Sequence, residues 1–319
     1  MVTRGPVVVT DAFEPVTDVD EEIFILYSEL QRNSGNDTTA GFRGLGYVDS
    51  HKDILEIKFV IKDALPPSTP VAAPSKRRHT KVPKAVRASE KTVEIELMQD
   101  KTALRSRKGD TGSVVWKASI DFAQMILQQF YSGSDSSLLD RENLHAYHVL
   151  ELGAGTGLLS VALSPLVRYY TATDIAPLIP LIRKNVAHNF PISSGAQLKA
   201  SEKRSNISVE ELDWIAVESA SPSQRTKIYN TAERPIDLLL VVDCLYHPVL
   251  IPPFLATIEH LAIPGRTAVL IVSELRAEDV MRDFIQGWLE IPGWEIWRIP
   301  NDDLGKNYVI WHGWKAVDI

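Results

Sequence analysis

Three glycines at alternate positions, Gly153, Gly155 and Gly157, follow the apolar run Val149–Leu152, which carries an acid at Glu151. The run reads as a buried strand. The glycines read as the turn after it, where the backbone must approach a ligand that side chains would block. A dinucleotide-binding loop needs its third glycine at position 158, which here is Leu158, so a pyrophosphate is not the ligand that this spacing fits. Further on, Tyr169–Asp174 reads as a second strand ending in an acid. That separation, about twenty residues, is the one at which α/β nucleotide folds set a carboxylate on ribose hydroxyls. A carboxylate accepts both hydrogen bonds of a vicinal diol. Asp174 also suits the N-cap of a helix predicted over Ile175–Asn189.

Two more strand ends carry chemistry. Leu212-Asp213-Trp214 offers a carboxylate for an adenine amino group and an indole to cover its ring, although a tryptophan after a strand also serves as core packing. Val242–His247 supplies Asp243 and Tyr246. The prolines that shape a slot for a flat base are absent between these two residues, so a flipped nucleobase loses support as the substrate. Asp243 reads as a group facing an acceptor or as a cap for the helix after Pro248, and Tyr246 as an acceptor wall or a core aromatic. His247, beside Pro248, reads as a turn residue and Cys244 as a small buried hydrophobe. No His, Cys and carboxylate spacing fits a metal.

Glu151 followed by G-x-G-x-G resembles the first motif of class I S-adenosylmethionine-dependent methyltransferases. There the loop meets a neutral amino-acid portion and a sulfonium. D-x-x-Y at Asp243–Tyr246 resembles the signature of the seven-β-strand protein lysine methyltransferases, methyltransferase family sixteen. Gly112–Ala118 matches that family's G-x-V-x-W-x-A segment, whose tryptophan, Trp116 here, closes over the cofactor. The likeness runs from Gly112 to about Leu261. It implies S-adenosylmethionine as cofactor, held by Trp116, Glu151, Gly153, Gly155, Gly157, Asp174, Asp213, Trp214 and Asp243. It also implies that Asp243 and Tyr246 are catalytic and face a lysine. The flanks, with Glu21–Leu30 and Ser273–Arg276, resemble fungal ribosomal members of the family. That implies a large-subunit ribosomal protein, the L1 stalk protein, as acceptor. A small-molecule or nucleobase methyltransferase, and a cofactor-binding module on the ribosome without turnover, are the competing readings. A nicotinamide dehydrogenase comes last because of Leu158.

The elements that must position these residues form an α/β chain. Strands are expected near His148–Leu152, Arg168–Thr173, Ile207–Leu212, Asp237–Asp243, Thr267–Ser273, Glu295–Ile299 and Asn307–Gly313. After a helix following Ser113, helices are expected around Leu158–Pro165, Ile175–Asn189, Val249–Leu261 and Ala277–Leu289. Such alternation predicts a Rossmann-like, mainly parallel seven-stranded sheet with helices on both faces and an antiparallel member at the end. Residues 112–319 are the expected methyltransferase domain and 1–111 a small α/β extension. The extension has a helix over Asp18–Arg32 and two strands, Asp53–Lys62 and Thr92–Met98, whose alternating apolar residues can pair. Between them, Asp63–Lys91 is rich in proline, lysine and arginine and reads as a mobile loop, a candidate RNA contact or a plain linker. Ser193–Ser205 reads as another surface loop.

Composition narrows the class. With 34 basic and 41 acidic residues the net charge is −7, which does not suit a general nucleic-acid binder. Hydrophobic and charged contents of 45% and 24% are those of a globular domain with a sizeable core. A single cysteine excludes an internal disulfide and a cysteine-built zinc site. No apolar run approaches the ~20 residues of a membrane span. The N-terminus lacks the apolar stretch of a secretory signal, so a cytoplasmic protein is expected.

Overall fold

The computed structural model describes residues 2–34, 46–49, 51–62, 90–101, 111–133, 137–191, 206–301 and 303–317. Strands β1 (Val2–Arg4) and β2 (Val7–Val9) form a small hairpin, followed by β3 (Glu14–Pro15) and α1 (Val19–Ser34). β4 (Ile54–Lys62) and β5 (Glu90–Met98) then pair antiparallel, with Phe59 opposite Val93. Strands and helices alternate from there: α2 (Lys117–Ser132), β6 (His148–Leu152), α3 (Leu158–Leu163), β7 (Tyr169–Asp174), α4 (Ile179–Asn189) and β8 (Ile207–Glu211). After α5 (Trp214–Ser219) and α6 (Pro222–Ile228) come β9 (Leu238–Val242), α7 (Ile251–Leu261), β10 (Ala268–Glu274), α8 (Glu278–Leu289), β11 (Trp294–Ile299) and β12 (Tyr308–Lys315). The predicted loop at 63–89 and the one at 193–205 lie outside the described residues; Glu90 and Lys91 already belong to β5.

The main sheet runs β3-β11-β12-β10-β9-β6-β7-β8. β10, β9, β6, β7 and β8 are parallel, and β12 joins β10 antiparallel. The expected seven strands are all present. The eighth, β3, is a two-residue strand on the open edge of β11, with Glu14 opposite Arg298. Proline is tolerated there because an edge does not need its N–H. β9 is buried along its whole length, and its pleat sends Leu238 and Leu240 into one hydrophobic core and Leu239 and Val241 into the other. A parallel strand covered on both faces needs such an unbroken apolar run.

The residues ahead of 112 share both cores. Ile23 and Leu26 of α1 pack with Phe254, Phe284 and Trp311 on one face, and Leu55, Ile57, Phe59, Ile95 and Leu97 pack with α2 and α3 on the other. Glu22 is buried where α1 meets the sheet. It accepts a hydrogen bond from the Trp311 indole at 2.7 Å and is paired with Arg298.

The helices 214–219 and 222–228 have no counterpart in the sequence reading. Both carry end signals: Asp213 accepts from the Ile215 N–H at 2.9 Å, and Ser221 with Gln224 forms a capping box ahead of Pro222. They were missed because each is too short to show a helical period.

The two-stranded β4–β5 ribbon has two open edges, and side-chain amides close both. On α2, Gln124 donates to the Val60 carbonyl, while Gln128 accepts from the Lys62 N–H and donates to its carbonyl. On α4, Asn185 does the same with Met98 (2.8 and 3.0 Å), and Asn189 with Glu96 (3.2 and 2.8 Å). Residues four apart on a helix rise about 6 Å, close to the ~6.7 Å of two strand residues, so each pair keeps step with alternate strand positions. Asn185, fully buried, also donates to the Thr156 carbonyl at 2.9 Å, which ties the ribbon to the glycine turn.

Replacing Asn185 by Leu strands the Met98 N–H and two carbonyls in the interior. It should lower stability by roughly 2–5 kcal/mol, whereas Asn189→Ala, at the exposed end, should cost about 1 kcal/mol. Urea denaturation of the two variants checks this; equal losses would refute the larger part given to Asn185.

Candidate active site

At the carboxyl ends of β6, β7 and β9 lies a cavity of about 480 Å³, within the range of small-molecule sites. The sheet order places these ends side by side. The glycines of the turn after β6 all have positive φ, +70° at Gly153, +57° at Gly155 and +81° at Gly157. At Gly153 a Cβ would stand 2.5 Å from the Cys244 sulfur, and at Gly155 it would stand 3.1 Å from the Gly112 carbonyl. Both positions therefore need glycine for space as well as for conformation.

Asp174, at the end of β7, lines the cavity. One carboxylate oxygen accepts from the Gly155 N–H at 2.7 Å and the other from the Ile175 N–H at 2.8 Å. It does not cap the next helix: that helix starts at Ile179, after a turn containing Pro177. Asp213 and Trp214 line the cavity too. Asp213 caps α5, and Trp214 packs against Phe254 at 5.0 Å between ring centres, so its indole serves core and cavity at once.

Trp116 closes another side of the cavity, at the start of α2. Its indole N–H donates to the Thr111 carbonyl at 2.8 Å, and Tyr47 meets its ring edge-on. The preceding turn is fixed by buried Gln99, which accepts from the Val115 N–H at 2.8 Å and donates to the Asp49 and Lys52 carbonyls.

Beyond β9, Asp243 has φ +60°, the left-handed region that an aspartate adopts at a cost of about 1–3 kcal/mol unless its surroundings hold it there. The holder is Arg276, in the turn after β10. Its guanidinium grips the Asp243 carboxylate at 3.0 and 2.6 Å and reaches Glu274 at 2.7 Å. Burial raises the Asp243 carboxyl above its ordinary range, and Arg276 pulls against that rise. Tyr246 lines the cavity and is 42% exposed, so it is not a core aromatic. His247 caps the short turn after it, accepting from the Val249 N–H at 3.3 Å, which leaves no capping task for Asp243. Cys244 is buried against the strand ends, as expected of a small hydrophobe.

Two expected cofactor residues do not line the cavity. Gly157 opens α3 and lies beneath the turn; a Cβ there would come within 2.9 Å of Ile182. Glu151 lies within β6, where the pleat turns it onto the face of the sheet. It is buried and accepts from the Tyr170 hydroxyl at 2.9 Å. Its position in the motif gave no warning, because an acid one residue before a strand end and an acid at the end look alike in sequence. Glu274 and Arg276 enter the sequence reading only through the resemblance of the Ser273–Arg276 flank, with no part in the site, although ligands of such sheets bind at the carboxyl ends of the strands. Among the described residues no His, Cys, Asp and Glu cluster fits a metal.

Comparison with known proteins places the chain. A family model described as lysine methyltransferase matches residues 97–288, more than half of the chain. The chain belongs to this lysine methyltransferase family. The sheet order, with five parallel strands and an antiparallel β12 beside β10, is that of a class I methyltransferase, and the cofactor is S-adenosylmethionine. The residues fit it: the glycine turn leaves the backbone open, Asp174 stands by the turn, and Asp213 and Trp214 form the adjoining wall. Ribosomal lysine N-methyltransferase 5 of Kluyveromyces lactis is 26% identical over 299 residues, covering 83% of this chain and 87% of that protein. Protein N-lysine methyltransferase METTL21A of Danio rerio is 31% identical over 166 residues, covering 52% and 62%. A Schizosaccharomyces pombe protein named diaminohydroxyphosphoribosylamino-pyrimidine deaminase is 29% identical over 218 residues; the match takes in 67% of this chain but spans only 46% of that protein.

Burial pushes the Glu151 carboxyl up to about 8 from an ordinary 4.5, with nearby Asp174 adding to the rise. A carboxyl that is harder to ionise in the fold than in the unfolded chain costs nothing below pH 4.5 and destabilises the fold increasingly as pH rises from 4.5 to about 8. Glu151→Gln still accepts from Tyr170 and cannot ionise. Its melting temperature should therefore gain on that of the unaltered protein across this window. Parallel melting curves from acid to mildly alkaline pH would refute a buried, neutral Glu151.

Proposed function

We propose that this protein transfers a methyl group from S-adenosylmethionine to the side-chain amine of a lysine in a large-subunit ribosomal protein, in the cytoplasm. The observation that carries the reading is a single cavity lined both by the glycine turn with Asp174 and by Asp243 with Tyr246. The ribosomal acceptor rests on the name of the Kluyveromyces lactis relative, whose length the chain spans almost throughout.

When bound, S-adenosylmethionine supplies an electrophilic methyl on a sulfonium. The remaining work falls to the side chains. Gly153 and Gly155 admit the amino-acid portion, Asp174 takes the ribose hydroxyls while it holds the turn, and Asp213 and Trp214 face the adenine. Trp116 covers the site. A lysine amine of pKa ~10.4 is protonated and not nucleophilic at neutral pH. Desolvation on entering the cavity favours the neutral form. The Tyr246 ring walls the alkyl stem and offers its face to a methylated ammonium. Asp243, held by Arg276, orients the amine along the line of transfer, and the proton leaves to water. The lysine- and arginine-rich segment between residues 76 and 91 is proposed to meet ribosomal RNA, with contacts that weaken as salt rises.

Incubating cell extract with tritiated cofactor and separating protein, RNA and metabolites should put the label on lysine of one ribosomal protein. Label confined to RNA or metabolites would sink the reading. On that substrate, Tyr246→Phe should retain most activity and Tyr246→Ala should lose about tenfold or more, since part of the ~7–11 kcal/mol available from alignment goes with the wall. Asp174→Ala should weaken cofactor binding by about tenfold or more, because a charge-assisted bond and the anchor of the turn are lost together.

A further inference from the structure

Arg276 joins parts of the site that are distant in sequence. Its guanidinium contacts Asp243 at the end of β9 and Glu274 at the end of β10, and its central carbon stands 5.0 Å from the Trp116 ring centre, in cation–π range. Gly46 closes over it with φ +91°; a Cβ there would come within 2.4 Å of a guanidinium nitrogen and 3.2 Å of the Trp116 ring, so glycine suits this close approach. The segment in turn meets the start of α2, where the Lys117 N–H donates to the Gly46 carbonyl and the Val48 N–H to that of Val115. A flat, always charged, five-donor group suits a place that requires a bidentate carboxylate grip on one side and ring stacking on the other.

We propose that Arg276 is a positioning residue that clamps the Asp243 carboxylate to the Trp116 indole, so that the acceptor wall and the cover of the cofactor cavity are held as one unit. The lysine side of this proposal rests on the methyl-transfer reading above; the cofactor side does not. Without the guanidinium, the left-handed Asp243 loses its main restraint and Trp116 loses the cation on its ring. Of the charged and titratable groups near the clamp, Glu274 shares the guanidinium, the buried Cys244 thiol faces Asp243, Tyr47 meets Trp116 edge-on, and Lys117 and Tyr308 are both bound to Asp121. None of these can replace the arginine between Asp243 and Trp116. A buried Asp243 without its cation ionises only at higher pH, so the acid limb of activity should move upward when Arg276 is removed.

The test uses the full chain and the variants Arg276→Gln, Arg276→Lys and Arg276→Ala, each checked for a cooperative melt. Calorimetry with S-adenosylhomocysteine should show affinity falling about tenfold in Arg276→Gln, one charge-assisted contact's worth, and less in Arg276→Lys. Methyl transfer to salt-extracted large-subunit ribosomal proteins should fall, with its acid limb shifted to higher pH. Guanidinium chloride well below denaturing concentration should restore part of both properties to Arg276→Ala. Unchanged S-adenosylhomocysteine affinity in a folded Arg276→Gln overturns the proposal. So does a gain of activity in Arg276→Ala that guanidinium inhibits, because Arg276 would then be occupying the place of the acceptor cation. If the unaltered protein labels no lysine, the methyl-transfer reading fails, and the calorimetric and guanidinium arms still decide for or against the clamp.

Discussion

Three carboxyl groups in or at the ends of neighbouring strands, close enough to act on one buried thiol, set the terms for this site. Glu151, Asp174 and Asp243 all act on the thiol of Cys244, which is buried among them and pushed well above its ordinary range, mainly by that burial. Isolated charges are not tolerated in such a place, and the three acids meet the constraint differently. Glu151 takes a proton and a tyrosine hydroxyl. Asp174 takes backbone N–H groups, one of them from the glycine turn. Asp243 takes a guanidinium. Each solution leaves a different role behind: Glu151 is spent on the interior, Asp174 fixes a backbone beside the cavity, and Asp243 lines the cavity in a pair with Arg276.

The segment before the methyltransferase sheet belongs to the same arrangement. Its β4–β5 ribbon is too small to be stable alone, and amides of α2 and α4 grip both its edges. From the end of that ribbon Gln99 fixes the turn that carries Trp116, and through Asn185 the same ribbon touches the glycine turn. The cover of the cavity and its floor are thus hung from one amide-bonded frame. The family model begins at residue 97, at the end of β5, so the match includes the point where this frame meets the site.

Across the sheet, the N-terminal segment is fastened by a second buried acid. Glu22 lies between the Trp311 indole and Arg298, and Arg298 also pairs with Glu14 of β3. The same principle operates as at the cavity: a carboxylate is admitted to the interior only with its partners. Here it joins α1 and the added edge strand to β11 and β12.

Local sequence determined a good deal. Unbroken apolar runs such as Leu238–Val242 named the central strands, because a strand covered on both faces has no polar side to show. Glycines at alternate positions named the turn, and acids or aromatics at strand ends named Asp174, Asp213, Trp214, Asp243 and Tyr246, all of which line one cavity. Alternation within Ile54–Lys62 and Glu90–Met98 was enough to pair them. What sequence did not contain was the direction of a side chain across the sheet and the partners brought from far along the chain. Glu151 occupies the motif's acidic position, yet the pleat turns it inward to Tyr170. Asp243 was legible as an acid at a strand end, but its partner lies 33 residues away and depends on β9 and β10 lying side by side. The grip of Asn185 on Met98 spans 87 residues and exists only because a helix and a strand advance in nearly equal steps. Residue types and short spacings are local properties and can be read along the chain; pairing across the fold is settled by which surfaces burial brings together, and only the tertiary structure decides that.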